Sequence, residues 1–257
     1  MFSHAASPAA RSIVNYTFGS SQEATRPDRV MRPSTAAILI VQHGKLFEHA
    51  GGAPVTSLPR IALLGPSDRG QIWSTAPGTK FTLINLAPGA SRRLFGIDPR
   101  DITGHSESLC GHDLSASLQE QLANGNRALD AYLCDVIGSS VSSLHEGAWR
   151  EQVVLNALQK RYLGDLVKNY AVHYGITHRT LQRSVRASLG LTPKQVLGIE
   201  RIRNLVVLTS GGWTRTLADL AQAAGYFDQS HMRHELLRHN FGRVGELVNG
   251  DHIVNEA

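Results

Sequence analysis

The sequence predicts an α+β protein with a β-rich N-terminal domain and an all-α C-terminal module. Short apolar runs separated by Gly- and Pro-containing turns occupy residues 13–86, and helical periodicity begins at Leu114. Near the C-terminus one short phrase occurs twice, each time before a segment rich in Arg and His. The 257 residues allow two domains, and a hydrophobic content of 42% can fill two modest cores.

The N-terminal strands are predicted at five runs. These are IVNYTFG at residues 13–19, AAILIVQ at 36–42, IALLG at 61–65, QIWST at 71–75 and KFTLINL at 80–86. Strands of this length and spacing predict a small β-sandwich or barrel. The helices expected after Leu114 would cover the sheet, mediate dimerisation, or both. A small, polar stretch at 138–150 is the predicted linker, which places the domains at 1–137 and 151–249.

The repeated phrase has the features of a helix followed by a tight turn and a second helix. Its copies are Tyr170-Ala171 with Gly175, and Leu220-Ala221 with Gly225. We expect the apolar-Ala pair to close a helix and the Gly to adopt a left-handed backbone conformation. Thr177 and Asp228 are then placed to cap the helices that follow. The pattern predicts two helix-turn-helix units.

The helix that follows Thr177 has one polar face and one apolar face. Leu181, Val185 and Leu189 share the apolar side, and Met232 and Leu236 take the core positions of the second copy. Arg can form paired hydrogen bonds with guanine, Gln can do so with adenine, and both can hold phosphates. The predicted DNA-contacting residues are Thr177, His178, Arg179, Gln182, Arg183 and Arg186 in the first unit, and Gln229, Ser230, His231, Arg233, His234 and Arg238 in the second. For His231, packing or hydrogen bonding at the start of its helix is an equal alternative.

The charge distribution favours a polyanionic partner for the C-terminal half. Residues 160–243 contain 13 Lys and Arg against 5 Asp and Glu, a local net charge of +8, whereas the whole chain carries +5. Such a region attracts phosphate and makes binding depend on salt. A solvated helical surface is the alternative for one basic helix, but the duplication favours double-stranded DNA.

At these residues the chain resembles the AraC/XylS family of bacterial transcription regulators. The resemblance covers roughly residues 153–247, and its matching phrases are RTLQR at 179–183, GLTPKQ at 190–195, ERIRNLVVL at 200–208 and LADLAQAAGYFDQSHM at 217–232. It implies two recognition helices in successive major-groove segments, about 34 Å apart, separated by a linker helix at 193–208. It also implies activation through RNA polymerase. Two departures stand out, because His234 replaces the usual Arg and FGRVGEL at 241–247 replaces a Gly-x-Ser/Thr-Pro phrase.

The N-terminal half resembles, less specifically, sensor domains that precede this module in some family members. The matching phrase is LINLAPGASRRLFGIDPRDITGH at residues 83–105. The resemblance implies a regulatory domain, and it leaves a small-molecule effector and a homodimer open.

Trp213 is expected to pack in the C-terminal core after the linker helix.

Other chemistries have weaker support, so we expect no enzyme activity, cofactor or metal. His105, Cys110 and His112 form only a thin candidate metal set, and no nucleophile elbow or phosphate-binding loop is present. GPSDRG at 65–70 is interpreted as a plain hairpin turn. The sequence has no apolar stretch of membrane-spanning length and no signal core, so we expect a cytoplasmic protein without membrane contact.

Two alternatives to a plain DNA-binding regulator remain open. The N-terminal half could be a metal-dependent enzyme or a small-molecule-binding barrel that the C-terminal module recruits to DNA. The chain could instead be a partner-dependent adaptor whose second helix-turn-helix unit has a weakened grip on DNA.

Overall fold

The computed structural model describes residues 13–21, 28–30, 34–49, 55–109, 116–118, 120–121, 132, 177–210, 212–213 and 215–245. The N-terminal part is built from two antiparallel sheets. Its strands are β1 (Ile13–Ser21), β2 (Asp28–Val30), β3 (Ala37–His43), β4 (Leu46–His49), β5 (Thr56–Ser57), β6 (Ile61–Leu64), β7 (Gln71–Thr75), β8 (Thr79–Leu86) and β9 (Ser106–Ser108). One sheet has the strand order β1-β8-β3-β6-β9, and the other has β2-β7-β4-β5.

The strands β8, β3 and β6 of the five-stranded sheet are buried on both faces. On one face, Ile84 and Leu86 of β8 belong to a cluster that also contains Phe95 and Leu118. On the other face, alternate residues of the sheet pack with Trp73 of the second sheet. Because side chains alternate along a strand, one apolar strand can serve two cores.

All five predicted runs form strands, as β1, β3, β6, β7 and β8. The prediction missed four strands. β2, β4, β5 and β9 contain only two to four residues each and include polar residues, so none forms an apolar run like that of the equally short β6. The sequence left a small β-sandwich and a barrel open, and the two sheets, packed on each other through Trp73, have the sandwich form.

The described helices are α1 (Ala90–Phe95), α2 (His178–Leu189), α3 (Pro193–Ser210), α4 (Leu217–Ala223) and α5 (Gln229–Arg238). The protein is therefore α+β, as predicted. In the part of the chain that is described, no helix has the length and apolar character needed to cross a membrane. The expected linker at 138–150 and the first copy of the repeated phrase lie outside the described residues, so the domain boundaries stay predictions.

The C-terminal helices pack around α3. One face of α3 contributes Ile202, Leu205 and Val206 to a core that also contains Met232 and Leu236 of α5. Trp213 packs against this core, as expected, and its indole N–H donates to the carbonyl oxygen of Thr216 at 3.4 Å. These contacts place α4 and α5 against one long helix.

Two helix ends differ from their predicted positions. The Leu220-Ala221 pair does not close a helix, because α4 continues to Ala223 through residues with good helix propensity. α3 ends at Ser210, two residues later than predicted and just before Gly212, whose φ is +75°. Gly225 has the positive φ expected of it, at +90°.

Candidate nucleic-acid interface

The helix α2 presents a polar face to solvent from a capped N-terminus. The Thr177 hydroxyl accepts a hydrogen bond from the Thr180 backbone N–H at 3.1 Å, as expected of an N-cap residue. Leu181, Val185 and Leu189 are buried, which confirms the predicted apolar face. The first-unit candidates Thr177, His178, Arg179, Gln182, Arg183 and Arg186 are all exposed.

The helix α5 has the same arrangement. Asp228 Oδ1 accepts a hydrogen bond from the His231 backbone N–H at 2.7 Å and caps the helix, as predicted. Met232 and Leu236 are buried at the predicted core positions. The second-unit candidates Gln229, Ser230, Arg233, His234 and Arg238 are exposed. Contact between either helix and DNA stays a prediction.

His231 is held by neighbours within the protein. Its Nδ1 accepts a hydrogen bond from the Phe227 backbone N–H at 3.3 Å, and its ring meets the Tyr226 ring edge-on with 5.5 Å between centroids. Its Nε2 lies 3.6 Å from Glu235 Oε1, while 40% of the side chain is still accessible. The alternative role of packing at the helix start is therefore present in the structure.

An ion pair joins α5 to α3. Arg201 Nε and a terminal guanidinium nitrogen donate to the two carboxylate oxygens of Glu235, at 2.9 Å and 2.6 Å. Burial raises the pKa of Glu235, but the hydrogen bonds and charge of Arg201 outweigh this effect and hold the pKa below its ordinary value. The Arg201 guanidinium also lies 5.6 Å from the centre of the Tyr226 ring.

Sequence reasoning missed this ion pair, although one signal was present. Glu235 lies between Met232 and Leu236, on the side of α5 that faces the core. A charged residue on an apolar helix face requires a partner, and α3 contains Arg201 and Arg203. The pair leaves α5 with no free carboxylate of its own, and α2 contains no acidic residue. The outer faces of both helices therefore carry Arg and His side chains and no carboxylate.

The loop at residues 66–70 contacts the C-terminal end of α5. The Gly70 backbone N–H donates to the His239 carbonyl at 2.7 Å, and Asn240 Nδ2 donates to the Gly70 carbonyl at 3.0 Å. The His239 ring also hydrogen-bonds the Asp68 carbonyl through Nδ1, and Gln195 Nε2 of α3 donates to Asp68 Oδ2 at 3.0 Å. The segment interpreted from sequence as a plain turn thus joins the β-rich part to the C-terminal helices.

Two loops of the β-rich part, one on each side of α1, contact the C-terminal end of α2. The Gly89 backbone N–H donates to the Ser188 carbonyl at 2.8 Å, and the Thr103 hydroxyl donates to the Gly190 carbonyl at 3.4 Å. Gly190 ends α2 with a φ of +73°, and a Cβ atom there would lie 2.5 Å from the Pro99 carbonyl oxygen. Backbone amides from the β-rich part therefore satisfy carbonyls at the ends of both helices, which would otherwise lack partners.

The central helix α3 makes a third contact with the N-terminal part. The Ser34 hydroxyl donates to Glu200 Oε1 at 3.4 Å, and Arg203 donates to the same oxygen at 3.0 Å. Burial raises the pKa of Glu200, and the Arg203 charge and the Ser34 hydrogen bond oppose that rise only in part. The contact therefore includes a poorly hydrated carboxylate.

The candidate metal set receives no support from the described residues, which contain no group of three His, Cys, Asp or Glu side chains able to hold a metal ion. Cys110 and His112 lie outside the residues that the structure describes, so the set as a whole has no geometry to assess.

No protein-family model matches this chain, and no curated protein matches it. Among solved structures, one of ToxT from Vibrio cholerae O395 is 13% identical, with a TM-score of 0.47 over 93% of this chain and 99% of that chain. A second ToxT structure from Vibrio cholerae, in a P21 form, is 10% identical, with a TM-score of 0.46 over 91% and 96%. The catabolite activator protein of Thermus thermophilus is 13% identical, with a TM-score of 0.18 over 95% and 96%. Because every one of these TM-scores is below 0.5, the similarities do not establish a family for this chain.

Proposed function

We propose that this protein is a sequence-specific, DNA-binding transcription regulator that reads DNA with α2 and α5. The observation that carries the proposal is the shared construction of the two helices. Each is capped at its N-terminus, buries an apolar face beside α3, and exposes Arg, Gln and His on the opposite face. Two such helices on one scaffold suit successive segments of a major groove.

The proposed module extends over residues 151–249 and contains two helix-turn-helix units. α4 and α5, joined by residues 224–228, would form the second unit, and α2 would be the recognition helix of the first. The N-terminal part, residues 1–137, would be the sensor or dimerisation domain. From the family resemblance we propose activation through RNA polymerase in the cytoplasm of a bacterium, with no enzymatic step.

Electrostatics supports binding of α2 and α5 to phosphate and to base edges. The outward cations include Arg179, Arg183 and Arg186 on α2, and Arg233 and Arg238 on α5. A side chain that reads a base edge should contribute about 1–3 kcal/mol of discrimination at one position, whereas a side chain that binds phosphate should change mainly the salt dependence. The same assay can therefore separate the two roles.

The test is selection of genomic DNA fragments by the full chain at near-physiological salt. Wild type should recover one shared motif, and Arg183→Ala should lose preference at a single position of that motif. Lys80→Ala, at an exposed site on β8, is the matched control because it removes one positive charge far along the chain from either helix. Recovery of unrelated fragments by wild type would contradict the proposal.

A companion variant tests whether the second unit reads DNA weakly. His234 is exposed on α5 at the position where the resembled family has Arg. His234→Arg should raise affinity for the selected fragment, because Arg brings a permanent cation and a planar set of N–H donors to this exposed position. An unchanged affinity would instead indicate that α5 does not dock on DNA, as the adaptor alternative requires, or that another residue already makes the contact of the missing Arg.

A further inference from the structure

Phe227 is an aromatic residue with almost its full surface in solvent. It is 91% exposed, whereas the other large exposed hydrophobic residues in the described part of the chain range from 46% to 63%. Single apolar residues are common on protein surfaces, but an aromatic ring exposed to this degree gains nothing from burial in its own chain.

The backbone around Phe227 is held in place on both sides. Tyr226, the preceding residue, is buried, and its backbone N–H donates to the Ala221 carbonyl at 2.8 Å. The Phe227 N–H donates to His231 Nδ1 at 3.3 Å, and Asp228 caps α5 immediately afterwards. The ring is therefore displayed from a well-anchored turn at the N-terminal end of α5.

The usual role of an apolar residue at this position is absent. A hydrophobic residue just before an N-cap commonly packs on the fourth residue of the helix, which here is Met232. Met232 is only 1% exposed and belongs to the core around α3, while the Phe227 ring lies in solvent. Because the two side chains have such different exposure, they do not form the packed pair.

The surroundings of Phe227 match the chemistry of a DNA groove. Exposed Gln229 and Ser230 follow it, Arg233 is exposed one turn later, and the helix N-terminus adds partial positive charge. These groups suit phosphates and base edges, and the apolar group that a major groove offers is the C5-methyl of thymine.

We propose that Phe227 contacts the C5-methyl group of a thymine at one edge of the α5 binding site and makes that position selective for thymine. This inference rests on the proposed function, because it takes α5 to be a recognition helix. It adds a specificity-determining residue outside the polar faces of α2 and α5.

The test replaces thymines in the selected fragment, one at a time, with deoxyuridine, which keeps base pairing and removes only the methyl group. Wild type should bind one substituted fragment about fourfold more weakly, the effect of losing one buried methyl contact. Phe227→Ser should bind the unmodified fragment about fourfold or more weakly and should be insensitive to deoxyuridine at that position. Leu237→Ser is the matched control, because Leu237 is the other large exposed apolar residue on α5, at 63%. It should keep the wild-type response.

Folding does not confound this test, since an exposed side chain can be replaced without disturbing the core, and the unfolding curve of Phe227→Ser should overlay that of wild type. Wild-type affinity that is insensitive to deoxyuridine at every position would overturn the inference while leaving the proposed function intact. A deoxyuridine effect that persists in Phe227→Ser would do the same. Loss of self-association in Phe227→Ser without a deoxyuridine effect would assign the ring to a second copy of the chain. Failure of wild type to select any motif would overturn both proposals.

Discussion

Replacing Arg201 with Met should lower the free energy of unfolding by about 3 kcal/mol. Arg201 donates to both carboxylate oxygens of Glu235, and only 10% of the Glu235 side chain is accessible. The substitution leaves a largely desolvated carboxylate without its charge partner. Breaking a buried ion pair from one side costs about 3–5 kcal/mol, and the residual access of water to both side chains places this pair at the lower end of that range.

Two further variants separate the ion pair from general packing. Glu235→Gln should cost less, about 1.5 kcal/mol, because the amide oxygen still accepts a hydrogen bond and the Arg201 side chain is 19% accessible. The double variant Arg201→Met with Glu235→Leu should be more stable than Arg201→Met alone, since no charge is then left without a partner. With Glu235→Leu alone as the fourth corner, the coupling free energy of the double-mutant cycle measures the pair.

The assay is urea unfolding of the full chain, followed by far-ultraviolet circular dichroism at several pH values. The folded pKa of Glu235 lies below the ordinary value of 4.5, so its stabilising effect is fully present above that value. It is lost as pH falls through the lower folded pKa, and Glu235→Gln should therefore lose less stability on acidification than wild type does. A cost below about 1 kcal/mol for Arg201→Met, or strict additivity in the cycle, would refute the reasoning.

Three other predictions concern single positions. Gly190→Ala should lower the melting temperature more than Gly212→Ala, because both residues have positive φ but only a Cβ at Gly190 would meet the Pro99 carbonyl oxygen, at 2.5 Å. Equal shifts of the two variants in differential scanning calorimetry would contradict this contact. The raised folded pKa of Glu200 means that wild type loses stability as pH rises from 4.5 through that pKa, because the buried carboxyl must then ionise. Glu200→Gln should lessen this loss and should be neutral or stabilising at pH 7, and urea midpoints measured from pH 4 to 8 decide the sign. Thr177→Ala should lower the free energy of unfolding by about 1 kcal/mol through loss of the cap, and Thr177→Ser is the control that retains the hydroxyl acceptor. An Ala variant as stable as the Ser variant would exclude a capping contribution.

The sequence predicted most local features of the described C-terminal helices. Both caps, Thr177 and Asp228, and the burial of Leu181 and Met232 agree with expectation because they follow from helix geometry alone. Apolar residues at every third or fourth position share one face of a helix, and that face packs on a neighbouring element. A side-chain oxygen just before a helix accepts hydrogen bonds from the free N–H groups of the first helical turn. The strands β1, β3, β6, β7 and β8 were equally predictable from their short apolar runs.

The sequence was less informative where a residue had two compatible roles. His231 could have faced DNA or its own helix, and only the structure shows that its Nδ1 accepts the Phe227 N–H. Phe227 itself resembles an ordinary apolar residue before a helix, yet its exposure excludes the packing with Met232 that is common at this position. Local spacing specifies neighbours along the chain but does not specify how far a side chain turns toward them.

The sequence by itself determined the α+β class, the caps, and the division of α2 and α5 into apolar and polar faces, because these depend on residues a few positions apart. Only the tertiary structure decided that Glu235 pairs with Arg201 and that Gly70 and Gly89 donate to carbonyls at the ends of the two helices. The partners in these contacts lie between 34 and 169 positions apart in the chain. Their pairing depends on how separate hydrophobic cores meet, which no local periodicity encodes.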